Sequence, residues 1–96
     1  MKVRFAAAAE YELNTAINQY NEQLDGLGFE FAAEVKKSIT LIEAHPNAWP
    51  KLSETWRRHR VRRFPYGLVY GTEDQVITIV AVMHLAQDPK PWTDIS

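Results

Sequence analysis

The sequence predicts an α+β fold of order β-αα-βββ, in which an antiparallel helical hairpin covers one face of a single twisted, antiparallel sheet. Apolar residues recur at spacings of three and four through most of the first half, as in amphipathic helices. From about residue 56 they follow the period of two that is typical of strands. The 96 residues contain neither a linker nor an internal repeat, and a chain this short fills only one core. Residues 1–96 are therefore predicted to form one domain.

The first half is predicted to begin with a short strand and to continue as two helices. Val3 and Phe5 alternate with charged residues within residues 1–5, which favours a strand with one buried face. Two apolar stripes at helical spacing follow, the first formed by Ala9, Leu13, Ile17, Tyr20 and Leu24 and the second by Phe31, Ala32, Val35, Ile39 and Ile42. Residues 25–28, with two glycines, separate the helices, and Pro46 ends the second one. So short a connection predicts an antiparallel hairpin whose inner stripes face the sheet.

The second half is predicted to form three strands joined as an antiparallel meander. Residues 56–64, 66–71 and 76–83 are rich in residues that favour strands, and residues 73–75 form a tight turn between the last two. The run 76–83 is almost continuously apolar. It is therefore expected in the middle of the sheet, where parts of both its faces are covered.

Composition excludes several classes of protein. The 46% hydrophobic and 24% charged fractions are typical of a globular domain, and no apolar run approaches the ~18 residues of a membrane span. The chain has no cysteine, which excludes disulfides and thiol catalysis. Residues 3–9 are too short and too charged for a secretory leader, so a cytoplasmic location without a membrane partner is expected. The histidines are scattered along the chain at positions without ligand spacing, and neither a metal nor a cofactor is expected.

A cluster of arginines is the most informative feature of the second half. Residues 1–50 carry four Lys and Arg against seven Asp and Glu, whereas residues 51–96 carry seven against five. Residues 56–63 hold five arginines, and strand alternation would place Arg58, Arg60 and Arg62 on one face and Arg57 and Arg63 on the other. Such a run is either a solvated edge strand protected by its charge or an anion-binding surface.

Aromatic residues interleave with these cations and favour the binding interpretation. They are Trp56, Phe64, Tyr66, Tyr70 and Trp92. Cations mixed with aromatic rings bind phosphate backbones and bases, or an acidic protein segment. The candidate residues for binding a target or a partner are therefore Arg57, Arg58, Arg60, Arg62, Arg63 and Trp92.

A second hypothesis is catalytic. Metal-free RNA cleavage needs a proton acceptor, a proton donor and a cation for the charge that develops on phosphorus. His84, at the end of the third predicted strand of the meander, is the candidate histidine for proton transfer. Tyr66 or Tyr70 would be the second proton-transfer group, and Arg60 or Arg62 would be the cation. The alternative for His84 is a strand-terminal histidine that bonds only to the backbone.

The order of several short motifs along the chain resembles the RelE/ParE superfamily of toxins from type II toxin-antitoxin modules, which include plasmid stabilisation systems. These motifs are Glu10-Tyr11, Gly26-Leu27-Gly28, His45-Pro46, Trp49-Pro50, Arg57-Arg58, Arg63-Phe64-Pro65-Tyr66, Val69-Tyr70, Ala81-Val82-Met83-His84, Pro89 and Trp92. The resemblance implies the same fold and a cognate antitoxin that neutralises the protein. It implies one of two modes of growth inhibition: ribosome-dependent mRNA cleavage, as in RelE-like members, or poisoning of DNA gyrase, as in ParE-like members.

The chain departs from the nuclease pattern at several positions. Gly67, Leu85, Ala86 and Gln87 stand where arginines are expected, and Trp92 replaces a tyrosine. These departures favour a ParE-like toxin that acts on gyrase without being a nuclease. An mRNA endoribonuclease and an interaction module that has lost its toxicity remain as alternatives.

Overall fold

The computed structural model describes residues 1–93 and confirms the predicted fold class. Its elements are β1 (Lys2–Phe5), α1 (Ala7–Gln23), α2 (Leu27–Ala44), β2 (Arg57–Arg60), β3 (Tyr66–Glu73), β4 (Val76–His84) and the short α3 (Lys90–Thr93). The four strands form one open sheet in the order β1-β4-β3-β2. Helix α3 was not predicted from the sequence.

The sheet is mixed, whereas the sequence analysis expected an antiparallel one. Strands β2, β3 and β4 form the predicted antiparallel meander, but β1 lies beside β4 and runs parallel to it. A parallel neighbour needs a long crossover, which the helices and the first two strands of the meander supply. The central position predicted for residues 76–83 is confirmed, because β4 lies between β1 and β3.

The helical hairpin turns more tightly than predicted. Gly26 adopts a left-handed φ of 86° and starts the chain into α2, so Leu27 and Gly28 belong to the helix and not to the predicted loop. The backbone N–H of Gly28 donates to the Asn21 side chain at 2.7 Å. A side chain at position 28 would collide with the backbone of Ile17, so glycine permits this close crossing of α1 and α2.

The main core lies between the helices and the sheet. Phe31, Ile42, Leu68, Ile77 and Ile79 are fully buried there. The predicted stripes supply most of the helical part, with Ala9, Ala16, Phe31, Val35 and Ile42 buried. Leu24, predicted to belong to the first stripe, is instead 62% exposed, because α1 ends at Gln23 and Leu24 lies in its C-cap.

Strand β2 is shorter than the predicted strand 56–64. It ends at Arg60, and Arg63 has a φ of 74°, a left-handed conformation that does not fit a strand. The Arg63 guanidinium donates to Glu30 of α2 at 2.8 Å and lies 3.6 Å from Glu34. This contact holds the turn against the helix while Phe64 is buried in the core.

Candidate functional site

One face of the sheet is packed against the helices, and the opposite face, here called the open face, is only partly covered. Its buried residues are Val69, Ala81 and Met83, and the partly buried residues packed on them are Leu52, Trp56, Val80 and Trp92. The rings of Trp56 and Trp92 meet edge to face with centroids 5.5 Å apart. The predicted candidate Trp92 therefore packs on the open face beside a second tryptophan.

Arg58 and Arg60 project from β2 on the open face. Arg58 pairs across the strands with Val69, and Arg60 pairs with Gly67. Side chains of directly paired residues share a face, and Val69 belongs to the open-face cluster. The alternation predicted for residues 57–60 is therefore confirmed, and two of the five arginines carry positive charge onto this face.

The other two residues of β2 face the helices. Arg57 donates through Nη1 to the Trp49 carbonyl oxygen at 2.7 Å, which ties the preceding loop to the sheet. His59 is 5% exposed, pairs with Leu68 and meets the Trp49 ring edge to face at 4.3 Å. Burial lowers the pKa of His59. Neither Trp49 Nε1 nor His59 Nδ1, both buried, has a hydrogen-bond partner within the described residues.

The last two arginines of the cluster leave the strand. Arg62 is exposed, whereas Arg63 is engaged with Glu30 and Glu34 of α2. Of the six predicted binding residues, the structure brings Arg58, Arg60 and Trp92 to the open face. It places Arg57 and Arg63 in contacts within the chain.

A cavity of about 440 Å³ lies beside the open-face arginines. It is lined by Trp49, Pro50, Leu52, Arg58, His59, Arg60 and Leu85. The arginines were predicted from the sequence, whereas Trp49 and His59 were not. The Trp49-Pro50 pair and the histidine among arginines were visible in the sequence, but nothing there indicated that the loop folds back onto β2.

The candidate catalytic residues are divided between different parts of the molecule. His84 and Tyr66 pair across β3 and β4 with ring centroids 5.2 Å apart, and both border a groove beside α1. His84 Nδ1 accepts a hydrogen bond from the Ala86 N–H at 3.0 Å. Arg60 projects on the opposite face. The sheet thus separates the histidine and tyrosine from this arginine.

Tyr70 is fixed in the core. Its hydroxyl donates to the Pro46 carbonyl oxygen at 2.6 Å, and the residue is 1% exposed. Burial raises the pKa of Tyr70 to about 12, and the nearby Arg57 charge opposes this shift. A phenol so placed holds the loop before β2 and is remote from solvent.

The positions that depart from the nuclease pattern have structural uses of their own. A Cβ at Gly67 would lie 2.9 Å from Cγ and Cδ of Arg58, so the absence of a side chain lets the Arg58 stem lie across β3. The Gln87 side chain accepts a hydrogen bond from the His84 N–H at 2.9 Å. Leu85 lines the cavity beside Arg58 and Arg60.

A carboxylate on α1 accepts a hydrogen bond from the outer edge of the sheet. Strand β1 pairs with β4 only as far as Ile79, so the outer edge of β4 beyond it has no neighbouring strand. Glu12 accepts a hydrogen bond from the Val82 N–H there at 3.0 Å. No role for Glu12 could be predicted from the sequence, since its partner lies 70 residues away.

Residues 1–93 contain no group of three or more His, Cys, Asp or Glu side chains arranged to hold a metal ion. Over the same residues, no helix has both the length and the apolar character that a membrane crossing requires.

Comparison with known proteins identifies the family. A family model described as the ParE toxin of the type II toxin-antitoxin system parDE matches residues 3–89. The chain belongs to this ParE toxin family, and the predicted membership of the RelE/ParE superfamily is confirmed.

A solved structure supports the same fold. The chain is similar to one described as the chromosomal ParDE toxin-antitoxin system from P. aeruginosa, with a TM-score of 0.76 and 12% sequence identity. The match covers 88% of this chain and 95% of that chain. Comparison with curated proteins gave no match.

Proposed function

We propose that this chain is a growth-inhibiting toxin that a cognate antitoxin neutralises by binding, and that it acts on DNA gyrase without cutting nucleic acid. The family match over residues 3–89 carries this proposal. A target of this kind places the protein in the cytoplasm. The proposal needs a surface for a partner, and it does not need a set of catalytic groups.

The open face supplies features that a protein partner would recognise. Arg58 and Arg60 provide positive charge, and Trp56 and Trp92 provide partly buried aromatic surface beside them. A disordered acidic segment that folds on this face would gain both charge pairing and apolar contact. These gains offset the entropy that the segment loses when it becomes ordered.

The geometry supports a binder over a nuclease. A metal-free ribonuclease needs its acceptor, donor and cation within hydrogen-bond reach of one phosphodiester. Here His84 and Tyr66 lie on the helix side of the sheet, whereas Arg60 lies on the open face. The alternative cation, Arg62, is exposed beyond the end of β2, and Tyr70 is buried. Gly67 and Leu85 add no charge to the open face.

Induced expression tests the proposal. Expression of the chain alone should arrest growth, and co-expression of the cognate antitoxin should restore it. Purified chain should inhibit supercoiling by gyrase and trap cleaved DNA, and a preformed complex with the antitoxin should not. Normal growth with intact antitoxin binding would instead indicate an interaction module that has lost its toxicity.

The adjacency of Tyr66 and His84 is the observation that favours the ribonuclease alternative. Primer extension on mRNA from induced cells tests it. We expect no codon-phased 5′ ends. Ends that vanish in His84→Ala but persist in His45→Ala, a change at an exposed histidine after α2, would contradict the gyrase proposal and favour mRNA cleavage at the ribosome.

A further inference from the structure

The cavity beside β2 has a composition that the proposed function does not itself explain. It brings together two cationic side chains, Arg58 and Arg60, and two aromatic residues with buried nitrogens, Trp49 and His59. Leu85 contributes an apolar wall. The loop before β2 forms the other side, held by the hydrogen bond from the Arg58 N–H to the Pro50 carbonyl oxygen at 3.0 Å.

The two arginines of this cavity are free to pair with an external anion. Of the salt bridges formed within residues 1–93, none involves Arg58 or Arg60, whereas Arg63 has two acidic partners. No acidic residue lines the cavity. The Arg58 stem lies across Gly67, which limits where its guanidinium can point. A guanidinium fixed in this way loses less entropy when it binds a carboxylate or phosphate.

The buried nitrogens add neutral hydrogen-bonding capacity. An indole N–H is only a donor, and Trp49 Nε1 has no acceptor within the described residues. A buried polar group without a partner costs free energy, and a ligand that satisfies it recovers that cost. Trp49 lines the same cavity as the two arginines, so its indole N–H is a candidate donor to an anion held there. His59 with its proton on Nδ1 would offer a second donor.

The charge distribution favours an acidic protein side chain over the phosphate backbone of a nucleic acid. Nucleic-acid-binding domains are usually strongly basic, whereas this chain has a net charge of −1 and the half that holds both long helices is acidic. The cavity places two cations beside apolar side chains. That arrangement suits one carboxylate with apolar neighbours.

We propose that the cavity formed by Trp49, Arg58, His59, Arg60 and Leu85 is a pocket for a glutamate or aspartate side chain of the antitoxin. Both guanidinium groups bind the carboxylate, and the Trp49 indole N–H donates to it. The identity of the occupant rests on the proposed function, but the pocket's preference for a carboxylate is tested separately on the chain alone.

The first test follows the indole N–H signals of the ¹⁵N-labelled protein, whose three tryptophans are assigned by single substitutions to phenylalanine. The probes are the capped peptides acetyl-Leu-Glu-Leu-amide and acetyl-Leu-Gln-Leu-amide. The Trp49 signal should shift and saturate with the glutamate peptide, and the glutamine peptide should bind at least about tenfold more weakly. Arg60→Gln should reduce binding by a similar factor, whereas Arg4→Gln, at an exposed arginine on β1, should leave it unchanged.

Three outcomes would overturn the pocket when inorganic phosphate is titrated as a further probe. The first is equal binding of both peptides, and the second is no shift with any of the probes. The third is a Trp49 shift with phosphate but none with the glutamate peptide, which would identify a phosphate site. None of these outcomes bears on whether the chain is a toxin.

The second test identifies the occupant. Antitoxin affinity should fall at least about tenfold for Arg60→Gln and remain unchanged for Arg4→Gln. Replacement of one acidic antitoxin residue by its amide should have no further effect in Arg60→Gln, because the two changes remove the same contact. Unchanged affinity in Arg60→Gln would overturn the antitoxin as occupant, even where the peptide test succeeds.

Discussion

The two faces of the sheet differ in how they are covered, and the difference separates the residues that stabilise the fold from those that we propose bind a partner. On the face covered by α1 and α2, fully buried aliphatic and aromatic residues form a continuous core. On the open face, three buried residues lie beneath a loop, a short helix and two tryptophans, with arginines beside them. A small domain can place unpaired charge on one face because the other face supplies most of its apolar burial.

The strongest way to test this comparison is to truncate the central aromatic residue of the core. Phe31 is fully buried, and its ring packs against Tyr20, Phe64 and Tyr66 at centroid distances of about 5 Å. Phe31→Ala should reduce the free energy of unfolding by ~3–5 kcal/mol through lost burial and a residual cavity. A domain with ~5–15 kcal/mol of stability would then be close to unfolding.

Chemical denaturation followed by circular dichroism measures this effect. Phe29→Ala is the matched control, since Phe29 lies on the same helix but is 70% exposed. It should change stability by less than about 0.5 kcal/mol. Equal losses in the two variants would mean that α2 packs on the sheet in a different register.

Two isoleucines of α2 refine the comparison within the covered face. Ile42 is fully buried, whereas Ile39 is only partly buried against the same cluster. Ile42→Ala should cost ~2–5 kcal/mol, and Ile39→Ala should cost clearly less, because less of its surface leaves water on folding. Thermal melts of both variants show which one loses more stability, and a larger loss for Ile39→Ala would contradict the prediction.

Periodicity predicted the covered face well because the pattern and the burial have the same cause. Apolar residues at helical spacing form a stripe that must be buried, so Phe31, Val35 and Ile42 were identified correctly. The pattern carries no information on strand direction. The parallel pairing of β1 with β4 therefore required the tertiary structure.

The open face was predicted less completely because its contacts are distant in sequence. The alternation of arginines was visible in the sequence. Arg63 does not follow it, because its backbone is left-handed and its side chain bonds to Glu30, 33 residues away. Similarly, His59 lies among arginines in the sequence, yet the Trp49 loop buries it. Residue type predicted an anion-binding surface, and the chain path determined which of the predicted residues lie on the open face.

The edge of β4 offers a more local test. Glu12→Ala removes the acceptor of the Val82 N–H and should cost ~1–3 kcal/mol if no water replaces it. Hydrogen exchange at the Val82 amide should accelerate, because that edge has no strand to protect it. Glu12→Gln keeps a side-chain oxygen and should retain most of the protection.

Glu10→Ala is the control for this test, since Glu10 is an exposed carboxylate on the same helix. In Glu10→Ala the Val82 amide should exchange at the same rate as in the original chain. If Glu12→Ala leaves that exchange rate unchanged, the contact between Glu12 and β4 contributes nothing to the protection of this edge.

The smallest expected effect is a pH dependence from His59, and it tests whether the Trp49 loop closes over β2 in solution. Burial lowers the pKa of His59 below its ordinary value of 6.5. Above that value the imidazole is neutral in both folded and unfolded chains, so its contribution to stability is fully present. As the pH falls below 6.5, the unfolded chain binds the proton first, and stability is lost until the pH reaches the folded-state pKa.

The slope contributed by one histidine is at most about 1.4 kcal/mol per pH unit. The stability lost between about pH 7 and pH 5.5, measured by urea denaturation, should therefore be smaller in His59→Gln than in the original chain. His45→Gln, at an exposed position, should lose as much stability as the original chain. Parallel pH profiles for all three proteins would mean that His59 is open to solvent and that the loop does not cover it.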